Sequence, residues 1–181
     1  EFLPGGGFEQ VAGGERFADL NGDGELNADD RTIIGDPNPD FIWGFNNTFS
    51  YEGFDLNIFF QGSQGGDIFS YTLAETDRLT GLSNATTVAL DRWTPTNTDT
   101  DVPAALSGRA RRANSRFVFD GSYIRLKNVS LGYNLPAALL DKANLRKLRI
   151  YVSAQNLLTI TDFEGYDPEV NFASSGAAQG N

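Results

Sequence analysis

The stretch from Phe41 to Gln61 constrains the fold more than any other, because it alternates twice in succession. Phe41, Trp43, Phe45, Asn47, Phe49 and Tyr51 occupy the odd positions, while Gly44, Asn46, Thr48 and Ser50 occupy the even ones. Successive side chains of a strand point to opposite faces, so one face is aromatic and the other small and polar. Glu52-Gly53 then reads as a two-residue hairpin turn. Beyond it Phe54, Leu56, Ile58 and Phe60 alternate with Asp55, Asn57, Phe59 and Gln61. Each run is about ten residues long, the length a tilted strand needs to cross a bilayer. A half-buried soluble sheet has the same period. The grouping of Phe, Trp and Tyr toward the strand ends favours the membrane, where aromatic girdles mark both interfaces.

Two later runs have the same character. In Tyr123 to Leu135 the apolar residues are even at Ile124 and Leu126, then odd at Val129, Leu131, Tyr133 and Leu135. A period of two cannot change phase without an extra residue, which predicts a bulge near Lys127-Asn128. Pro136 to Lys142 reads as a helical turn opened by proline. In the fourth run Leu148, Ile150, Val152, Ala154, Leu158 and Ile160 share one face, and Arg149, Tyr151, Ser153, Gln155 and Thr159 the other. Polar residues on that second face suit a wet or plugged interior. Four such strands cannot close, and open edges in lipid cost several kcal/mol for each unpaired backbone group. The expected fold class is therefore all-β: antiparallel strands of a transmembrane β-barrel, part of a larger barrel, with long extracellular loops.

Composition removes several alternatives. The 181 residues include no cysteine, histidine or methionine. That excludes disulfides, thiolate metal sites and serine-histidine or cysteine-histidine catalysis within the chain. With 24 acidic residues against 14 basic ones the net charge is −10, which opposes nucleic-acid binding through phosphate neutralisation. No run of about 18 apolar residues is present, so no transmembrane helix is expected. Without an initial methionine, Glu1-Phe2-Leu3-Pro4 reads as the middle of something longer.

Ahead of the first strand lies Asp19-Leu20-Asn21-Gly22-Asp23-Gly24-Glu25-Leu26-Asn27-Ala28-Asp29-Asp30. Counting Asp19 as the first position, oxygen side chains fall at the third (Asn21), fifth (Asp23), ninth (Asn27) and twelfth (Asp30), with Gly24 at the sixth. This is the order of an EF-hand loop, in which a hard cation gathers six to eight oxygens from alternate side chains and one backbone carbonyl. The candidate metal ligands are Asp19, Asn21, Asp23, Glu25 through its carbonyl, and Asp30. Leu26 is expected to anchor the loop to apolar surroundings. Asp30 stands where a signalling EF-hand has glutamate, and its shorter arm points to a structural ion. The loop's many oxygens and flexible span favour calcium, with magnesium the alternative. Arg31-Thr32-Ile33-Ile34 is a short β-leaning run rather than an amphipathic helix, and Gly35 to Asp40, with two prolines, stops it.

Between the two hairpins, residues 64–115 lose the alternation. A connection of about fifty residues is far longer than usual and is commonly functional. In outer-membrane barrels such loops lie outside the cell and tight turns face the periplasm, which puts the Glu52-Gly53 turn inside and the acidic loop outside. Arg109, Arg111, Arg112 and Arg116 near its end read as a solvated charge run paired with local aspartates, the alternative being a grip on anionic lipid headgroups or an acidic partner. The resulting order is an extracellular loop at 1–40, a hairpin at 41–63, a long extracellular loop at 64–115, a second hairpin at 116–160 and a polar tail at 161–181.

Several of these segments, taken in order, are similar to one known family. They are Asp-Leu-Asn-Gly-Asp-Gly at 19–24, Asp-Arg-Thr-Ile-Ile-Gly-Asp-Pro-Asn-Pro-Asp-Phe at 30–41, Gly-Phe-Asp-Leu-Asn-Ile-Phe-Phe-Gln-Gly at 53–62, Arg-Trp-Thr-Pro at 92–95, Gly-Ser-Tyr-Ile-Arg-Leu-Lys-Asn-Val-Ser-Leu-Gly-Tyr at 121–133 and Tyr-Val-Ser-Ala-Gln-Asn-Leu at 151–157. Together they resemble the C-terminal part of SusC/RagA-type TonB-dependent outer-membrane transporters. The resemblance implies a barrel of about 22 strands with an N-terminal plug, in the bacterial outer membrane. It also implies a SusD-like lipoprotein partner, energy from the TonB complex through the N-terminal part, and import of oligosaccharides or peptides. The plug, the TonB-contacting segment and the final strand with its terminal aromatic have no counterpart here, so the chain is expected to be a piece of the transporter.

The competing reading is a secreted, calcium-stabilised β-sandwich binding carbohydrate or protein, with Trp43, Trp93 and Tyr166 as stacking candidates. The two differ in where Phe45, Phe49, Leu56 and Ile58 point: outward on a barrel, inward in a sandwich. An enzyme is not expected, because nothing in the sequence sets carboxylates such as Asp167 and Glu169 at the defined separation an acid pair needs.

Overall fold

The computed structural model describes residues 11–80, 84–106, 113–141 and 145–169. Glu1 to Pro4, Arg109, Arg111, Arg112 and Lys142 lie outside them. In chain order the strands are β1 (Phe41–Tyr51), β2 (Phe54–Gln64), β3 (Asp67–Phe69), β4 (Val118–Asp120), β5 (Tyr123–Asn134) and β6 (Arg149–Thr161). Helix α1 spans Tyr71–Thr76, and α2 spans Ala137–Leu140 in the β5–β6 connection. The chain divides into two units, Glu1–Gly35 with Phe69–Val118, and Asp36–Ile68 with Phe119–Asn181.

The second unit is built on one antiparallel sheet in the order β1-β2-β5-β6. Its first hairpin turns on two residues of positive φ, Glu52 at 44° and Gly53 at 87°. Positive φ at both centres is the primed geometry that matches strand twist. Glycine is required at the second position, since a Cβ there would stand 2.9 Å from the Asn134 carbonyl oxygen.

The phase change in β5 is resolved by a bulge. Phe59 pairs with Asn128 but Phe60 with Leu126, so Lys127 is passed over. The β5–β6 register shifts between Leu126 and Asn128 as well, and Asn156 on β6 takes φ 52°. One extra residue thus returns Ile124 and Leu126 to the face that carries Val129 and Leu131.

Reading the register across the four strands gives five apolar rows. They are Trp43-Gly62-Ile124-Ile160, Phe45-Phe60-Leu126-Leu158, Asn47-Ile58-Val129-Ala154, Phe49-Leu56-Leu131-Val152 and Tyr51-Phe54-Tyr133-Ile150. The middle row has no aromatic, and the outermost rows hold Trp43 at one end and Tyr51, Phe54 and Tyr133 at the other. The last two rings stack with centroids 4.3 Å apart. Nothing covers this face among the described residues: Phe45 is 57 % exposed, Phe49 58 % and Val152 66 %. A sandwich needs a second sheet there, and the other ladder, β3 with β4, has only three residues in each strand. Eleven residues at about 3.3 Å each, tilted by about 40°, rise roughly 27 Å, which matches the ~25 Å apolar band of outer-membrane barrels.

The first unit holds the acidic loop and most of the long connection. That connection is not bare loop. Ser70 caps α1 by accepting from the Leu73 N–H, and Ser115–Phe117 forms a 3-10 turn whose Phe117 carbonyl accepts from Ser70 N–H at 2.8 Å. Leu26, Ala74, Val102, Ala104 and Phe117 form its small buried core. Trp93 packs against Gly13, while Trp43 lies over Gly62 on the apolar face of the sheet. Tyr166 is 97 % exposed. Arg31 to Ile34 form no strand.

Candidate functional site

The acidic loop is organised by its own carboxylates. Asp19 accepts from the Gly22 N–H at 2.7 Å and the Gly24 N–H at 2.9 Å. At the other end Asp30 accepts from Leu20 N–H at 2.8 Å and Asn27 N–H at 2.9 Å. Asn27 returns a bond to Asp29 N–H, completing a capping box around the 3-10 turn Ala28–Asp30. Asp23 accepts from Glu25 N–H at 2.8 Å and from the Asn21 amide at 2.9 Å. Leu26 is buried, 1 % exposed, and pins the loop from below. The backbone N–H of Asn27 holds the Asp30 carboxyl below the usual range, outweighing desolvation with the help of the Leu20 and Asn21 N–H groups.

The donor set is right for a hard cation, since every candidate ligand offers oxygen. Each carboxylate oxygen engaged by one N–H keeps a further lone pair. Among the described residues, however, no three side chains of His, Cys, Asp or Glu come close enough together to hold an ion. The loop is closed by hydrogen bonds rather than by converged carboxylates.

The opposite face of the sheet is mostly polar, with Ile42, Phe59, Tyr123 and Tyr151 set among its asparagines, serines, threonines and charged residues. Asn57 on β2 donates to Asn46 Oδ1 at 2.9 Å and Thr48 Oγ1 at 3.0 Å on β1, and accepts from Asn128 on β5 at 3.5 Å. With Phe59 these asparagines line a shallow pocket. Nearer the Glu52-Gly53 turn, Arg149 on β6 reaches over β5 to Asp55 on β2, with Nη2 2.5 Å from Oδ2 and Nε 3.2 Å from Oδ1. The bridge passes above Gly132, where a Cβ would lie 2.5 Å from Arg149 Nη2 and 2.6 Å from Asp55 Oδ2.

At the far end of this face sits a group that sequence reasoning did not assemble. Arg125, 4 % exposed, donates through Nη2 to Asp167 Oδ1 at 2.6 Å and through Nη1 to Glu169. Lys127 Nζ donates to both Glu169 oxygens at 2.7 and 2.9 Å, and Tyr123 Oη donates to Oε1 at 2.9 Å. The Arg125 guanidinium holds the Asp167 carboxyl below the usual range. Burial pushes the Glu169 carboxyl up, but Lys127, Tyr123 and Arg125 outweigh it and the net shift is downward. Asp167 and Glu169 are thus consumed in ion pairs rather than forming an acid pair. The signal was two cations, Arg125 and Lys127, two residues apart in one strand, with Asp-Pro-Glu some forty residues later.

Of the basic cluster proposed in the connection, Arg116 is described. It donates to the Asp101 carbonyl, a local backbone contact.

No protein-family model matches the chain. Among curated proteins it is 53 % identical over 169 residues to TonB-dependent receptor P3 of Formosa agariphila, covering 93 % of this chain and 17 % of that protein. It is 28 % identical over 159 residues to TonB-dependent receptor SusC of Bacteroides thetaiotaomicron, covering 85 % of this chain and 15 % of that one. Among solved structures, the RagAB peptide transporter superposes with a TM-score of 0.70 at 32 % identity, covering 80 % of this chain and 16 % of that one. The chain spans about a sixth of the length of the curated relatives it matches. These relatives are receptors and transporters, not enzymes. Sequence motifs, a sheet with one apolar and one polar face, and similarity along nearly the whole chain agree that this is a barrel segment belonging to the SusC/RagA type of TonB-dependent transporters.

Proposed function

We propose that this segment is wall and external loop of a bacterial outer-membrane transporter that imports oligosaccharides or peptides. In this reading a SusD-like lipoprotein covers its outer mouth, and the TonB complex drives it through a part of the transporter outside this segment. The observation that carries the proposal is the two-faced sheet: five apolar rows on one side, and asparagine, serine and ion-pair ladders on the other. The apolar face lies against hydrocarbon and the polar face lines the interior. The tight Glu52-Gly53 turn then faces the periplasm, and the first unit lies outside the cell. The segment contains no cysteine, so single spin-labelled cysteines placed in the full-length transporter report each face. Labels at Phe49, Leu56 and Val152 are expected to be relaxed by lipid-soluble oxygen, and labels at Asn57 and Ser153 by a water-soluble nickel chelate. The same relaxation on both faces would overturn the orientation.

For the acidic loop we infer a structural calcium ion held by Asp19, Asn21, Asp23, the Glu25 carbonyl and Asp30. The alternating oxygens and the buried Leu26 anchor support it; binding requires the carboxylates to draw inward from their present separation. Hydrogen exchange of amides 19–30 tests it. Chelation is expected to speed exchange and calcium to restore protection better than magnesium, whereas exchange indifferent to chelator would reject the ion.

A further inference from the structure

Beyond β6 the chain does not leave the sheet. Thr161 Oγ1 donates to the Ser122 carbonyl at 2.8 Å and accepts from Phe163 N–H at 3.1 Å, and the Phe163 ring meets Phe119 edge-on at 5.9 Å. The chain then doubles back so that Asp167 and Glu169 come down on the polar face. Glu169 N–H donates to Asp167 Oδ1 at 2.8 Å, which fixes the two carboxylates relative to each other.

Two features separate this contact from an incidental surface pair. Arg125 is almost wholly buried although it stands on a polar face, because the returning segment with its two carboxylates lies over it. Burying a guanidinium is costly unless it is paired, and here Nη1 and Nη2 are met by two carboxylates at once, while Nε is buried without a partner among the described residues. The second feature is Lys127. In a flush strand it would share the lipid-facing side with Val129; the bulge turns it to the side of Arg125, where both grip the same Glu169. Gln61 and Tyr123 complete a ring of donors from two strands around that carboxylate.

We propose that residues 162–169 form a strap folded across the polar face at the end remote from the Glu52-Gly53 turn, locked there by the Arg125-Lys127-Asp167-Glu169 cluster. The strap narrows the mouth of the passage along this part of the wall, and breaking the lock lets it swing away. The narrowing, though not the lock, rests on the polar face being the interior.

The test uses the full-length transporter carrying Asp167→Asn with Glu169→Gln, substitutions that keep shape and remove charge. Hydrogen exchange of amides 161–169 reads the lock. A Thr159→Cys probe, on the same face as its partner Arg125, reads shielding by the strap through its rate of alkylation by an impermeant maleimide on intact cells. Exchange and alkylation are both expected to rise at least tenfold in the double variant, and Lys127→Gln, which leaves Arg125 on both carboxylates, is expected to raise them by a smaller, intermediate factor. Rates within twofold of wild type in the double variant would overturn the proposal. Where that variant fails to reach the outer membrane, Lys127→Gln with exchange and alkylation unchanged from wild type would overturn it. A Val152→Cys probe on the apolar face, if alkylated as fast as Thr159→Cys, would sink the interior assignment while leaving the exchange result to judge the lock.

Discussion

Gly132 offers the sharpest test of how the polar face is held. Asp55 on β2 and Arg149 on β6 are separated by a whole strand, and they meet only because β5 presents no side chain between them. In Gly132→Ala the new methyl would have to share space with Arg149 Nη2 at 2.5 Å and Asp55 Oδ2 at 2.6 Å, so the bridge must open. The two side chains are 39 % and 30 % exposed. Solvent screening keeps such a pair among surface ion pairs, its two-point geometry offsetting part of the screening. Against this, replacing glycine within a strand removes unfolded-state freedom and is favourable by about 0.5–1 kcal/mol where the backbone allows it. The substitution should therefore be neutral to mildly destabilising in the native background. With Asp55→Ala and Arg149→Ala already present, the same change should stabilise the strand. The difference between backgrounds should appear as a several-fold change in the exchange rate of β5 amides in the full-length protein. An identical effect of Gly132→Ala in both backgrounds would refute the idea that the glycine exists for the bridge.

The two faces of β2 should answer differently to charge. Ile58→Lys, in the middle apolar row, is expected to cost about 2–4 kcal/mol and to deplete assembled transporter from the outer-membrane fraction, while Asn57→Lys next to it is tolerated; equal loss from both would remove the face assignment. The acidic loop should loosen in acid even without an ion. Because the folded pKa of Asp30 lies below its unfolded value near 4, its hydrogen bonds contribute fully above that value and are lost as the pH falls through the folded pKa. Normalised exchange of the Asn27 amide in chelator should thus be flat from pH 7 to 5 and accelerate below about 4, and Asp30→Asn should abolish that dependence. A wild-type profile that stays flat to low pH would reject the assignment.

What was legible in the sequence followed from local rules. Alternation gave the faces of β1, β2 and β6, the Glu-Gly pair gave the turn, and the phase change in β5 located the bulge within a residue. Leu26 was legible as an anchor because it interrupts a run of oxygen ligands. Contacts between residues far apart in sequence were not legible. Nothing local says that Asp167 and Glu169 return forty residues later to cover Arg125, and a charged residue in a strand reads simply as polar. Nor could the connection at 64–115 be seen as a small packed unit, since Ala74, Val102, Ala104 and Phe117 are too scattered to show a period.

The bulge itself makes a prediction that separates register from composition. Lys127 is the one residue of β5 that neither neighbour counts: β2 steps from Phe59 to Phe60 while β5 steps from Asn128 to Leu126. Deleting Lys127 should leave the apolar rows intact from β1 to β5, because Leu126 already faces Phe60 and Arg125 already faces Gln61 across the gap, while β6 must accommodate Asn156 and Leu157 as a wider bulge. The deletion removes a cation from Glu169 and relaxes the local twist, so the strap should loosen while the barrel still assembles. An alanine inserted between Leu56 and Asn57 has the opposite character, although it adds nothing polar. It displaces one half of β2 by a residue and sends either Phe54 and Leu56 or Ile58 and Phe60 to the polar side. Assembly in the outer membrane, followed by heat-modifiable migration on gels, should survive the deletion and fail for the insertion. Failure of both would mean that β5 cannot assemble without the bulged residue, contrary to the expectation that the rows are set by alternation alone; survival of both would mean that the register of these strands is not set by which face meets the lipid.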